Sequence, residues 1–562
     1  MKSGTSYFNS TLLKKNFSRF AVIWGLYAGC LFLFGTLPLL NIRGIGSEVF
    51  ATEALTQLPV LFGSGLHQVY AIICAVACFG YLHNTRSTYM LHALPMTRET
   101  MFTTNLVSGW LFAILPQVLI TLLNLGAVAI AGSGVYGAVL QNFAVWAMEY
   151  TCFYGLAVFC MVMTGKTVFC ILGYYTLSYV FVLLELVIRT ILSPMLFGVD
   201  TLERIISIPL CPVVNLIVED AKSLGNEMPG IPASLWYYLG FIALVGVVLM
   251  AASFLLYRKR HMENAGEVIA FSWARPIFKY FFTVCVTLIL GLIITLITAE
   301  SSIDNGLTVA MIISLLIAGF IGFFAAEMML NRSLHVFKKK AFAQFGIYAA
   351  ILLAALLLIR FDVLGISRRV PAPDTVSAVR VELIKEELGG FTITDPDDIE
   401  TVTQMHTKLI ETHKLPEPRQ SGREYGEQVN VKITYQLKDG STLTRRYQGA
   451  YSGTSSTEFA ALLDGKPELL ESYYDVPAPN PTTVIFLQSY PNTYNGYGSM
   501  SYSEFNHLME YLQKDIDAGN IRLYEDIAQF GWGDSFLIRI GGRYIAIPQS
   551  AENACAYLMG LR

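Results

Sequence analysis

As far as about Leu364 the chain is a succession of long apolar stretches almost free of charge, and this feature excludes most folds. A backbone in hydrocarbon has no water to bond, so only helices that satisfy their own amides, or closed β-barrels, can cross it. An uncharged apolar stretch of about 18 residues or more is long enough to cross as a helix. Nine are read here, at about 20–40, 65–82, 104–131, 139–163, 168–193, 233–256, 276–298, 307–329 and 343–360. The second is the weakest, because His67 and Gln68 lie near its start, and the fourth and fifth each carry an acid. Composition agrees, with 14% charged residues where soluble domains carry about a quarter. The expected fold is a polytopic α-helical membrane protein of about nine transmembrane helices, followed by a C-terminal soluble α+β domain.

Lysine and arginine placement orients such a chain. One set of alternate loops holds Lys14, Lys15 and Arg19, then Arg86 and Arg98, then Lys166, then Arg258 to Arg260 and Arg275, and finally Arg332 and Lys338 to Lys340. The other set is acidic, with Glu48, Glu53, Asp200, Glu203, Glu219, Asp220, Glu300 and Asp304 outnumbering Arg43, Arg204 and Lys222. The basic set is read as cytoplasmic. The N-terminus is then cytoplasmic and, after nine spans, the C-terminal domain is extracytoplasmic at the cell membrane; one span more or fewer reverses that side. The first apolar run is too long for the core of a cleavable signal.

Beyond Val370 the pattern changes to alternating strands and amphipathic helices. Val429–Leu437 alternates at period two, meets Lys438-Asp439-Gly440 and resumes at Thr442, a strong hairpin signal. Phe536–Ile547, interrupted by Gly541-Gly542, is a second. Helices are expected at Asp397–Glu411, Ser456–Asp464, Ser503–Asp517 and from Ser550 onward. The order strand, helix, hairpin, helix runs over about 376–465 and again over about 482–562, the pattern of a duplicated unit, although the halves share no obvious residue identity.

Known chemical motifs are missing. Gly165-Lys166-Thr167 lacks the earlier glycine of a phosphate loop, since Cys160 stands there, and reads as a tight turn. No metalloprotease, paired-cysteine or nucleophile-elbow motif occurs, and the nine cysteines form no framework. The expectation is therefore no catalytic, metal or cofactor-binding residue in this chain, and a net charge of −3 offers no nucleic-acid signature. Ionisable residues inside a membrane mark functional positions. Glu149 is mid-span without a local partner, whereas Glu185 and Arg189 share a helix face four residues apart. These three are candidate lining of a translocation path, with mutual neutralisation as the plainer reading of the second pair. Gln117 and Asn124 suit inter-helix bonds, and Gly25-Leu-Tyr-Ala-Gly29 permits close helix approach.

Between the second and third spans lies Arg86…Tyr89-Met-Leu-His-Ala-Leu-Pro95-Met-Thr-Arg98-Glu, an amphipathic, helix-length segment with a proline stop. In that position it resembles the coupling helix of ABC exporter permeases of the second type. The N-terminal amphipathic stretch, the short turn after the fourth span and the broken helices between the fifth and sixth are similar to the six-span plan of that family over residues 1–260. The resemblance implies an interfacial helix at 1–19 and a permease core at 20–256. Within the core it implies a coupling helix at 83–101 and an outer loop at 194–232. Tyr89, Met90, Leu91, Leu94, Pro95 and Arg98 would contact a separate cytosolic ABC ATPase, which would bind the ATP and magnesium. It also implies a homodimer or paired permease, and export of a peptide or lipid-like substrate. The chain departs from the plain family by adding a linker and three spans at 257–360 and the domain at 361–562. The rival expectation is a membrane sensor whose external domain binds a ligand.

Overall fold

Helix accounts for most of the described residues. The computed structural model describes residues 7–40, 48–92, 96–131, 136–193, 195–196, 198–199, 205–223, 233–261, 263, 265–298, 305–384, 390–412, 430–447, 467–474, 485–489, 498–521, 536–540 and 543–560. Among these, eight helices are long and apolar enough to cross a membrane. A ninth span is reached if α1 (Ser10–Arg19) and α2 (Ala21–Leu31 with its continuation to Thr36), bent by 65° from one another, count as one.

The remaining elements before the C-terminal domain are α3 (Glu48–Phe79), α4 (Thr85–His92), α5 (Arg98–Ala131), α6 (Tyr136–Met163), α7 (Thr167–Leu192), α8 (Pro212–Ser223), α9 (Ala233–Lys259), α10 (Ala274–Thr298), α11 (Asn305–Asn331) and α12 (Lys339–Arg360). The short α8 and the turn Ile208–Leu210 occupy part of the loop expected to hold helices too short to span. By packing, the chain forms two units. One comprises Met1–Ile188, Arg204–Ile297 and Ile313–Ala350; the other comprises Arg189–Glu203, Thr298–Ile312 and Ile351–Arg562.

Within the first unit, polar groups and small residues specify helix contacts, as apolar surface alone cannot where lipid is equally apolar. Asn9 caps α1 by accepting the Leu12 amide at 3.0 Å. The Asn16 side-chain amide then donates to Asn105 Oδ1 (2.9 Å) and Ser108 Oγ (3.0 Å) on α5, so α1 is tied to protein. Thr36 donates to Asn124 at 2.7 Å. Helices α6 and α9 cross closely: a Cβ added at Gly155 would collide with the Gly246 backbone, and one at Gly246 with the Thr151 and Cys152 backbone. Gly25 and Gly29, by contrast, meet nothing within 4 Å. In the α10–α12 group the Lys279 ammonium, over the Phe323 ring at 4.1 Å, pairs with Glu327 at 2.7 Å and donates to Gln344 at 2.9 Å.

The second unit contains two four-stranded antiparallel sheets. The first uses β1 (Val376–Ile384), β2 (Gly390–Ile393), β3 (Asn430–Leu437) and β4 (Thr442–Tyr447) in the order β2-β1-β3-β4. The second uses β5 (Ile485–Ser489), β6 (Gly498–Met500), β7 (Phe536–Ile540) and β8 (Arg543–Ile547) in the order β6-β5-β7-β8. The two orders are the same, strand for strand. Four helices accompany them: α13 (Pro396–Thr412), α14 (Pro467–Tyr474), α15 (Tyr502–Asp517) and α16 (Glu552–Gly560). The strands β2 and β6 and the helix α14 extend the pattern read from sequence, while the helix expected at Ser456–Asp464 lies outside the described residues. Gly440, at φ +83°, turns the first hairpin. Ser501 and Glu504 form a reciprocal capping box at the start of α15. The buried Asp515 carboxylate accepts the Asn553 and Ala554 amides at 3.2 and 2.9 Å, capping α16.

Three separated segments meet at β4. The Arg446 amide donates to Gly198 O at 3.0 Å, and Val199 bridges Arg445 antiparallel. Gly198 has φ +71°, and a side chain there would collide with the Tyr447 ring. The Arg445 guanidinium donates to Ile366 O (2.8 Å) and Arg369 O (3.2 Å). Beneath the strand, buried His406 lies between the Tyr435 and Tyr447 hydroxyls at 2.9 and 2.6 Å. Burial, with Arg445 nearby, pushes its pKa down to about 3, so the imidazole is neutral.

Candidate functional site

The segment between α3 and α5 is anchored at its base and apolar at its surface. Asn84 caps α4 by accepting the Arg86 and Ser87 amides (3.0 and 3.4 Å), and the Thr88 hydroxyl donates back to Tyr81 O (2.6 Å). Held in this way, α4 presents Tyr89 and Met90 to the outside, 58% and 70% exposed. Leu94, Pro95 and the side chain of Leu91 lie outside the described residues. Thr97 starts α5 by accepting the Thr100 amide at 3.1 Å. Arg98 is turned onto its own chain: its guanidinium donates to Arg260 O at 3.3 Å and lies 5.8 Å from the Tyr257 ring centre. The adjacent Glu99 pairs with Arg258 at 3.0 Å.

Arg260 joins the loops at this end of the bundle. Its guanidinium donates to Met161 O (2.9 Å), Val162 O (2.8 Å) and Leu82 O (3.1 Å), carbonyls at helix ends that lack a partner inside their own helices. The turn at Gly165 is stitched to the following loop through Gly165 N to Glu267 O (3.0 Å) and Gly266 N to Gly165 O (2.7 Å). Glu267 in turn pairs with Arg332 (3.3 Å) and Arg275 (3.5 Å). Gly165-Lys166-Thr167 is thus a structural turn, and the loops gathered here are those carrying the basic residues. In the sequence Arg260 is one positive charge among several. Its bonds to three carbonyls on two helix ends have no local signature.

Deep in the same unit lies a buried polar centre. His67 on α3 and Glu149 on α6 are both 0% exposed, with Nδ1 and Oε2 2.8 Å apart. The consecutive residues His67 and Gln68 point to different neighbours, as helix geometry requires. His67 meets α6, while Gln68 accepts the Tyr179 hydroxyl of α7 at 2.7 Å. Aromatic rings enclose the pair: Tyr27 and Trp146 stand edge-on to the imidazole at 6.1 and 5.9 Å, and Tyr27 stacks on Tyr70 at 3.9 Å. The Gln117 amide donates to the Tyr27 hydroxyl at 2.8 Å.

This centre is rich in polar atoms that no other protein group engages. Among the described residues ten buried side-chain polar atoms have no protein hydrogen-bond partner, and six belong to this centre and its flank: Ser64 Oγ, His67 Nε2, Gln68 Nε2, Gln117 Oε1, Trp146 Nε1 and Glu149 Oε1.

Of the predicted path residues, Glu149 has a partner, His67, which in the sequence stands out only as a polar residue weakening a span. The usable signal was a histidine inside one apolar run and an acid inside another. Glu185 is engaged by the loop, its two oxygens accepting the Ile206 and Ser207 amides at 2.8 and 2.6 Å, and Arg189 stands in the last turn of α7. Glu327, the partner of Lys279, was missed altogether. Among the described residues no group of three or more metal-ligating side chains occurs. A scan against family models finds no match to this chain, and neither does a search among curated proteins.

Proposed function

We propose that the chain is the membrane-spanning permease subunit of an ATP-driven exporter, powered by a separate cytosolic ATPase that seats on α4. The observation that carries this reading is the anchored α4, with Tyr89 and Met90 exposed at the end of the bundle where the basic loops are tied together. An exposed apolar pair on a helix fixed at its base suits insertion into a groove of a partner. Arg98 serves by joining α5 to the loop after α9, so that force on α4 is passed to Arg260 and the helix ends it holds.

ATP and magnesium are bound and hydrolysed on the ATPase, and this chain supplies the docking surface and the path. Two permease subunits, alike or different, pair in the bilayer, and a peptide or lipid-like compound is the cargo. The basic end faces the cytoplasm. The C-terminal domain then faces outward, a side supported by the bonds of Gly198 and Val199, in the loop after α7, to β4. Tagged full-length chain extracted in mild detergent is expected to carry vanadate-sensitive ATP hydrolysis, and Tyr89→Asp with Met90→Asp to abolish it without unfolding the chain. Purified chain with no such activity under any extraction refutes the reading and leaves a ligand-sensing membrane protein.

A further inference from the structure

Lys338, Lys339 and Lys340 stand side by side and exposed where α12 begins, and among the described residues no acid pairs with any of them. The other basic triplet, Arg258 to Arg260, is largely engaged within the chain, Arg258 by Glu99 and Arg260 by carbonyls at helix ends. Helix stability does not call for lysines at this place. The first turn of α12 holds no acid, and the positive end of a helix dipole disfavours cations.

The loop that carries them is fixed from below. Arg332 ends α11 in the left-handed conformation, at φ +48°, and its guanidinium pairs with Glu267 at 3.3 Å and donates to Gly266 O. Val336 is buried in one cluster with Phe323, Phe324 and Ala341. The Phe337 ring stacks on Phe324 with centres 4.8 Å apart, and Phe342 lies 5.1 Å from the same ring. On that base Leu334 and Phe337 remain 75% and 54% exposed beside the lysines. A run of lysines that served only to anchor the helix would need no such apolar pair.

Length sets the level at which this surface stands. The 22 residues of α12 rise about 33 Å at about 1.5 Å each, against a hydrocarbon core of about 30 Å. Lys339, the first of them, is therefore at the boundary between acyl chains and headgroups, and the short loop from Arg332 to Lys338 stays close to it. We infer that Lys338, Lys339 and Lys340, with Leu334 and Phe337, form a binding surface for the headgroup of an anionic phospholipid. The three ammonium groups meet the phosphate and any further negative charge, and the two apolar side chains enter among the upper acyl carbons. A free phosphate shares the anion but not the acyl chains, so the apolar half selects the lipid. The surface requires that α11 and α12 cross the bilayer and does not depend on an ATPase.

Full-length chain in nanodiscs of mixed phosphatidylglycerol and phosphatidylcholine tests this, with a small share of one or the other lipid carrying a photoreactive group near its headgroup. Label on residues 332–342, read by mass spectrometry relative to the rest of the chain, is expected to favour phosphatidylglycerol, by about fivefold for each lysine engaged. Replacing the three together, Lys338→Gln, Lys339→Gln and Lys340→Gln, should remove the preference, while the corresponding three arginine substitutions should keep it. Inorganic phosphate is expected to displace no more label than chloride at matched ionic strength. Selective displacement by phosphate would assign the lysines to the free anion and overturn the inference. A preference that survives the three glutamines overturns it as well. Equal labelling by the two lipids also does so, and leaves the lysines to an acidic protein surface. With no ATPase in the nanodisc, none of these outcomes bears on the docking of α4.

Discussion

A carboxylate inside a membrane-spanning helix needs a partner, and that requirement was legible in Glu149 from the sequence alone. The identity of the partner was not, because His67 lies 82 residues away and the two meet only through the packing of α3 on α6. The same holds for His406, whose position in the C-terminal domain is set by two tyrosines 29 and 41 residues along the chain. Its folded pKa of about 3 lies below the ordinary value of about 6.5. In the folded state the imidazole stays neutral while the unfolded chain takes up a proton below about 6.5. The stability it contributes is therefore complete above that pH and is lost toward pH 3, at about 1.4 kcal/mol per unit. Protection factors of the α13 amides in the full chain, corrected for the intrinsic pH dependence of exchange, are expected to fall through that window, and His406→Gln to flatten the dependence.

At the scale of elements, the spans were readable because charge-free length is a local property. Their contacts were not. A side chain added at Gly25 or Gly29, the glycine pair that the sequence singles out, would meet nothing within 4 Å, whereas Gly155 and Gly246, unremarkable in their own helices, bring α6 and α9 into backbone contact. Gly246→Val should force these helices apart and cost about 1–3 kcal/mol or more by overpacking. Gly25→Val should leave thermal stability unchanged, a contrast that scanning fluorimetry reads directly. Likewise the amphipathic stretch Ser10–Arg19 was legible as a helix, but its bonds to Asn105 and Ser108 were visible only once α5 was in place. The hairpin at Asp439-Gly440 was legible in full, since its signal is the turn itself. Breaking the α10–α11 tie by Glu327→Leu leaves the buried Lys279 ammonium without its counter-charge and is expected to lower stability by about 3–5 kcal/mol. Loss of Lys279→Met with Glu327→Leu together should be milder.

For the whole molecule, the loops bonded through Arg260 and Glu267 define one end of the first unit, and α4 belongs to that end. If it faces the cytoplasm, a cysteine at Thr85 reacts with an impermeant maleimide only after the cells are opened. One at Gln404, on α13, reacts on intact cells. The opposite pattern would turn the proposed docking surface away from cytosolic ATP. The measurement that bears most directly on the central claim is ATP hydrolysis by the tagged chain as extracted from its own cells. The account expects vanadate-sensitive activity that disappears when Tyr89 and Met90 are both replaced by aspartate, with folding retained. Activity indifferent to those two residues, or none at all, would contradict it.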